Sequence, residues 1–355
     1  MTNETKKNSV KLILFAGIAF LFIVIASAMM KPTKWFDEKL IQDRNARTVQ
    51  MMEQPENTID ILNLGDSLST AGFSPMELWR DQGFTSFNIG ADGMRMEEAY
   101  YAVVEACDKQ QPKYLMIESL LLFRYAFGQD LQMMLSQPLY HYFPFLKYHN
   151  IWKSLVEDKG VMIYHRGYTV NENVWEYDGE EEYLDLDMED PNSRLLVSSM
   201  NSMNFDRIKA FCDRRGIEII IYSMPSAKNY NRERIGNMKA FAEEKGVTYI
   251  DLNQKDELEI DWNTDTNDGG DHMNLNGAKK VISYLGKYLR ENTDLIDHRG
   301  DPAYSDWDEE LVDYDKLVEE MDGKSFQDIY DEIKQKEWDE KYRKKNTSSN
   351  NDTNQ

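Results

Sequence analysis

Five short apolar segments alternate with helix-forming stretches along most of this chain, and that alternation restricts its fold more than any other feature. Segments 58–64, 85–89, 113–118, 218–222 and 247–252 are rich in Ile, Leu, Tyr and Phe and have the length of strands. Helical patterns occupy 96–109, where Tyr100, Val103, Val104 and Cys107 recur at helical spacing, and then 193–215, 231–245 and 278–290. Strand–helix units of this kind build a mainly parallel sheet with right-handed crossovers and helices on both faces. The expected architecture is α/β: a three-layer, flavodoxin-like sandwich around a five-stranded sheet. Boundary residues agree. Ser74 and Pro75 read as an N-cap and first helical residue, and Gly83, Gly216 and Gly246 as helix stops.

Between about 120 and 190 the alternation breaks. Aromatic and His-bearing stretches (138–145, 148–152, 164–168) precede an acidic run at 178–182. This reads as an insertion capping the sheet edge, with aromatics that form its own core or line a groove suited to sugar rings.

The N-terminus limits location. Lys6, Lys7 and Lys11 precede an apolar or small-residue run from Leu12 to Met30. At 1.5 Å per residue the run spans about 28 Å, close to the hydrocarbon thickness of a bilayer. Basic residues ahead of it favour a cytoplasmic N-terminus and an external domain. A signal peptide cleaved after Ala28 is the competing reading, and the length of the run favours a retained anchor. Residues 31–57 read as a stalk with a short helix. Residues 293–342 form a charged extension with helical stretches at 309–321 and 326–342, and 343–355 is too polar to bury anything.

The formal net charge of −22 argues against a nucleic-acid partner, which would require clustered Lys and Arg. Cys107 and Cys212 read as buried free thiols. Five scattered histidines and no Cys/His spacing give no reason to expect a metal, and no cofactor is called for.

Three loops follow strands and therefore share the carboxyl edge of the sheet, where open α/β sheets bind ligands. The first carries Gly65-Asp66-Ser67, with helix-forming sequence expected only after a further short turn. The second carries Gly90 and Gly93, whose missing β-carbons let backbone N–H groups approach a ligand. The last carries His272 among Asp268 and Asp271. A serine nucleophile needs a base in hydrogen-bond reach, a carboxylate to orient that base, and N–H donors for the oxyanion. Ser67, His272 and either Asp268 or Asp271 meet the first needs. The N–H groups of Ser67 and Gly90 are candidates for the last. His149 and Arg166, in the insertion, are candidate contacts to an anionic or sugar substrate. Asp66 reads as a loop hydrogen-bonder, and Arg95 as a helix-start residue facing the same edge.

Gly65-Asp66-Ser67 after the first strand, a glycine after the second, and 268–278 before the last helix together resemble the SGNH (GDSL-type) hydrolase superfamily over about residues 58–292. The resemblance is nearest to membrane-anchored members found beside polysaccharide or teichoic-acid acylation systems, such as alginate O-acetyltransferase-like proteins and the D-alanine-transfer protein of lipoteichoic acid assembly. It implies Ser67 as nucleophile, His272 as its base and Gly90 as an oxyanion donor. Two positions depart from the family pattern. The usual acid lies three residues before the histidine, where Gly269 stands; Asp268 is preferred, since the adjacent Asp271 would seldom point its side chain at its neighbour's ring, and Asp271 remains the alternative. The usual Gly-x-Asn-Asp block after the third strand is replaced by Glu118-Ser119.

The resulting expectation is an extracytoplasmic, membrane-anchored serine esterase or O-acyltransferase acting on acyl esters of cell-envelope glycans through an acyl-enzyme on Ser67. A membrane-bound acyltransferase is an expected partner. The alternative is a non-catalytic binding or assembly partner of such an acyltransferase.

Overall fold

The computed structural model describes residues 3–30, 45–149, 164–179, 183–186 and 195–321. The 326–342 helix, the polar tail, most of the stalk and parts of the insertion lie outside the described residues.

Five parallel strands form one sheet in the order β2-β1-β3-β4-β5. They are β1 (Ile61–Leu64), β2 (Ser86–Asn88), β3 (Tyr114–Glu118), β4 (Glu218–Ser223) and β5 (Thr248–Asp251). The expected α/β sandwich is therefore the observed one. Side-chain alternation divides the core into two clusters. Leu62, Leu64, Leu115, Ile117, Ile219 and Ile221 point to one face. Ile61, Tyr114, Met116, Ile220 and Tyr222 point to the other. Strands covered on both sides read as near-continuous apolar runs, which made them visible in the sequence.

The helices are α1 (Asn3–Met29), α2 (Ala46–Glu53), α3 (Ser67–Gly72), α4 (Pro75–Gln82), α5 (Met96–Ala106), α6 (Leu120–Phe123), α7 (Phe127–Tyr142), α8 (Pro144–Tyr148), α9 (Ser199–Asp213), α10 (Arg232–Lys245), α11 (Leu275–Asn292) and α12 (Ser305–Met321). Only α1, among the described residues, is long and apolar enough to cross a membrane. Cap chemistry matches the expected boundaries: Ser74 accepts the Glu77 N–H, and Gly83 and Gly246 close α4 and α10 with φ of 69° and 65°. Cys107 and Cys212 are buried free thiols.

Helix α12 clamps onto the sandwich. The rings of Trp79 and Trp307 lie 5.3 Å apart, and Tyr314 Oη donates to Glu77 at 3.0 Å. The first half of the charged extension is thus part of the fold.

Candidate active site

The loop after β1 departs from expectation in one respect. No second turn intervenes: α3 begins at Ser67 itself, because the buried Asp66 caps it by accepting the Leu68 N–H at 3.1 Å. Ser67 thus stands at the first position of a helix, at the carboxyl edge of the sheet.

A buried polar lattice fixes this turn. Asn63 donates to Ser69 Oγ at 2.8 Å, and Tyr222 Oη donates to Asn63 Oδ1 at 2.9 Å. Asn88 donates to the Ser69 and Phe73 carbonyls at 2.9 and 3.3 Å. Asn63 in β1 and Asn88 at the end of the edge strand β2 have no exposure, so each polar atom must be matched, and these bonds match them. Sequence reasoning missed this lattice. The only signal was an Asn next to last in each of two apolar runs.

The last loop brings the base. Gly269 and Gly270 adopt φ of 70° and 91°, turning the chain back on itself. Asp268 then accepts the His272 N–H through Oδ1 at 2.7 Å and reaches Nδ1 with Oδ2 at 2.5 Å. Nε2 of the same ring lies 2.8 Å from Ser67 Oγ. With Nδ1–H donating to Asp268, Nε2 is left to accept the serine proton. Asp271 lies 3.7 Å from Nδ1 and is held by Asn229 and Ser226. The glycine pair explains why the partner is four residues before the histidine.

Electrostatics follow this geometry. Burial opposes a charge on His272, but the Asp268 hydrogen bond and the Asp271 and Asp268 charges outweigh it, and its pKa rises above 6.5. Burial likewise opposes the Asp268 carboxylate, yet the His272 bond prevails and holds it below the ordinary carboxylate value. Asp268, Asp271 and His272 offer three ligand atoms within 4.8 Å, but Nδ1 is already committed to Asp268.

Under Ser67 lies a second acidic layer. Arg124 pairs with the fully buried Asp66. Glu118, at the end of β3, accepts from Tyr230 Oη at 2.6 Å, Leu120 N–H at 2.9 Å and Met224 N–H at 3.3 Å. Burial first, then the Asp66 charge, pushes Glu118 up to about 8 against these donors. Ser119 Oγ bonds Ser223 Oγ and Tyr230 Oη, each at 2.7 Å. The Glu118-Ser119 pair is therefore a buried support and offers nothing to a ligand.

Two expected contacts, at Gly90 and Arg166, are engaged elsewhere. The Gly90 N–H donates to Asn88 Oδ1 at 3.1 Å, and a β-carbon there would lie 2.7 Å from the Gly65 carbonyl. Its amide is engaged by Asn88 within the lattice. Gly93, at an open turn with φ of 62°, has no heavy atom within 4 Å of a would-be β-carbon. Arg166 is buried, paired with Asp306 and Glu310 of α12 at 2.7 and 2.6 Å, and stacked on Trp307. It holds α12, not a substrate. The His149 ring bonds the Leu146 carbonyl at 2.7 Å beyond α8. Arg95 pairs with the buried Asp130 at 2.7 Å.

The insertion does reach the site, through residues 171–179. Trp175 N–H donates to the Thr266 carbonyl at 3.2 Å, and the Trp175 indole lies 3.8 Å from a β-carbon built on Gly269. Tyr177 packs on Gly270 and faces Trp262 at 6.0 Å. The Trp175 side chain is 70% exposed, a large apolar face beside the Asp268 loop.

No protein-family model matches this chain, and no curated protein matches it. Among solved structures, it is similar to a protein described as an acylhydrolase from Bacteroides fragilis NCTC 9343, at 11% identity and a TM-score of 0.37, covering 72% of this chain and 98% of that one. It is also similar to a GDSL-like lipase from Bacteroides thetaiotaomicron VPI-5482, at 11% identity and a TM-score of 0.34, covering 71% and 98%. Nothing about the chemistry at Ser67 follows from likenesses this distant.

Proposed function

We propose that this chain is a membrane-tethered serine esterase or O-acyltransferase of the SGNH type, facing outward from the membrane and acting on acyl esters of cell-envelope glycans. The observation that carries the reading is the relay Ser67 Oγ–His272 Nε2 at 2.8 Å and His272 Nδ1–Asp268 Oδ2 at 2.5 Å.

In this reading Ser67 Oγ attacks the acyl carbonyl while Nε2 of His272 takes its proton, and Asp268 stabilises the imidazolium. Collapse of the tetrahedral adduct expels the alcohol, which recovers the proton from His272 and leaves the acyl group on Ser67. Water or a glycan hydroxyl then attacks the acyl carbonyl, His272 takes that proton, and Ser67 is released. The Ser67 N–H is the first oxyanion donor, and Gly93 replaces Gly90 as the second candidate.

A half-exposed triad supports a bulky acceptor, since His272 and Asp268 retain 23% and 39% side-chain exposure. The exposed Trp175 beside it supports a sugar ring. The apolar length of α1 supports a retained anchor. The buried Glu118-Ser119 pair, which supplies no oxyanion donor, favours the second reading of a non-catalytic partner to a membrane acyltransferase.

Ser67→Ala separates the two. The esterase reading expects loss of p-nitrophenyl acetate hydrolysis and of covalent labelling by a fluorophosphonate, with the melting temperature unchanged. Hydrolysis that survives the substitution rejects Ser67 as nucleophile.

A further inference from the structure

Helix α7 is amphipathic in the opposite sense to a helix that faces water. Its inward side holds polar pairs: Asp130 is fully buried on Arg95 at 2.7 Å, and His141 meets Glu105 at 3.3 Å. Lys147, just beyond in α8, completes that cluster at 2.8 Å from Glu105. Its outward side is apolar. Phe127, Leu131, Leu135, Leu139 and Tyr142 recur at helical spacing on one stripe, with Phe127, Leu135 and Tyr142 exposed by 63%, 64% and 71%. A contiguous stripe of this kind on a charged, acidic protein calls for an apolar cover.

The cover is indicated by what adjoins the stripe. Where α7 turns into α8, Phe143 and Phe145 each meet an α1 ring edge-on, Phe20 and Phe22 respectively, at 6.0 Å. The Phe145 N–H donates to Ser27 Oγ at 3.4 Å, and Ser27 is buried. Phe20 and Phe22 lie at least eight residues before the end of the apolar run, so about 12 Å along the helix axis from it. A span anchored at that end puts both rings at the depth of the acyl chains. Groups that pack on them are at or within the same leaflet.

We propose that α7 rests on the outer leaflet of the bilayer that α1 spans, with its stripe among the acyl chains, so that the catalytic domain is docked on the membrane. This rests on the reading of α1 as a retained anchor. The stripe itself carries no Lys or Arg, and the chain has a net charge of −22, so apolar burial and not headgroup charge holds the contact. Zwitterionic lipid suffices, and salt does not release it. A docked domain holds Ser67 at a set height, which suits an ester presented near the membrane surface.

The test uses the full chain in phosphatidylcholine bilayers, with a nitrobenzoxadiazole label on Leu135→Cys, on Ile18→Cys in α1, or on Glu291→Cys at the end of α11. The native cysteines are buried, and a chain without an added cysteine, labelled alongside, corrects for them. Leu135 and Ile18 labels should both shift to the blue and lose intensity with brominated acyl chains, and the Glu291 label should do neither. An Ile18 label that is quenched beside a Leu135 label that is not overturns the docking, whether water or a partner protein covers the stripe. An unquenched Ile18 label overturns the anchor reading itself. A Leu131→Gln/Leu135→Gln/Leu139→Gln chain should keep its melting temperature and its turnover of soluble esters while losing the shift of a label at Phe127→Cys. A lowered melting temperature would mark the stripe as core and reject the proposal.

Discussion

Gly65 packs so closely on Glu118 that a β-carbon at Gly65 would lie 2.7 Å from the Glu118 Cβ, and 2.5 Å from that of Ser69. The turn that presents Ser67 is thus pressed between the buried end of β3 and its own helix. Gly65→Ala forces one of these to move. Overpacking at such a site costs about 1–3 kcal/mol. Differential scanning calorimetry should show that loss, and fluorophosphonate labelling of Ser67 should slow, because the displaced turn carries the nucleophile with it.

The base works in its neutral form, and its pKa is raised by Asp268 and Asp271 against burial. Ester hydrolysis should therefore rise with pH through a midpoint above the ordinary histidine value of 6.5. Asp268→Asn removes the principal partner, moves the midpoint down, and lowers kcat by about 10⁴-fold, the scale seen when a triad acid is lost. An Asp271→Asn chain should keep most of its rate. A pH–rate profile on a soluble nitrophenyl ester checks both.

Glu118 is pushed up to about 8 in the folded chain, above the ordinary glutamate value of 4.5, chiefly by burial and then by Asp66. A carboxyl whose pKa is raised on folding contributes stability that is whole below 4.5 and is lost as pH rises through the folded value. Melting temperature should fall between pH 5 and pH 8 in the native chain. Glu118→Gln cannot ionise and should flatten that decline in a pH-resolved thermal scan.

Arg124 neutralises an Asp66 carboxylate with no solvent exposure. Arg124→Met strands that charge, and breaking a buried pair from one side costs about 3–5 kcal/mol; the 36% exposure of Arg124 places this pair near the lower figure. Urea unfolding should show the loss, with partial recovery in Asp66→Asn/Arg124→Met.

Trp175 presents an exposed ring beside the Asp268 loop. Trp175→Ala should raise KM for an acetylated oligosaccharide by about 5–10-fold, on the scale of a lost aromatic face of roughly 1 kcal/mol. Kinetics on p-nitrophenyl acetate, which has no sugar, should stay unchanged.

The parallel sheet, its main crossover helices and caps, and the three converging loops were legible in the sequence, whereas α3 at Ser67 and α7 in the insertion were not. Covered strands must be apolar, and turns must use Gly, Ser or Pro where the backbone requires them, so local composition reports these elements directly. That Ser67 and His272 would meet was legible because loops at strand ends gather on one edge, and the Asp268 contact because a residue adjacent to the histidine seldom turns its side chain onto its neighbour's ring. What the tertiary structure alone decided was which polar group answers which. Gly90 N–H goes to Asn88, Arg166 goes to α12, Asp271 goes to Asn229, and Trp175 arrives beside Gly269 from a segment about ninety residues away in the chain. The Arg166, Asp271 and Trp175 contacts are long-range, and even the short Gly90–Asn88 bond forms only where Asn88 is buried beneath the turn, so each is a match with one partner among many. Nothing local in a sequence states that match, since it exists only once burial has removed water as the competing partner.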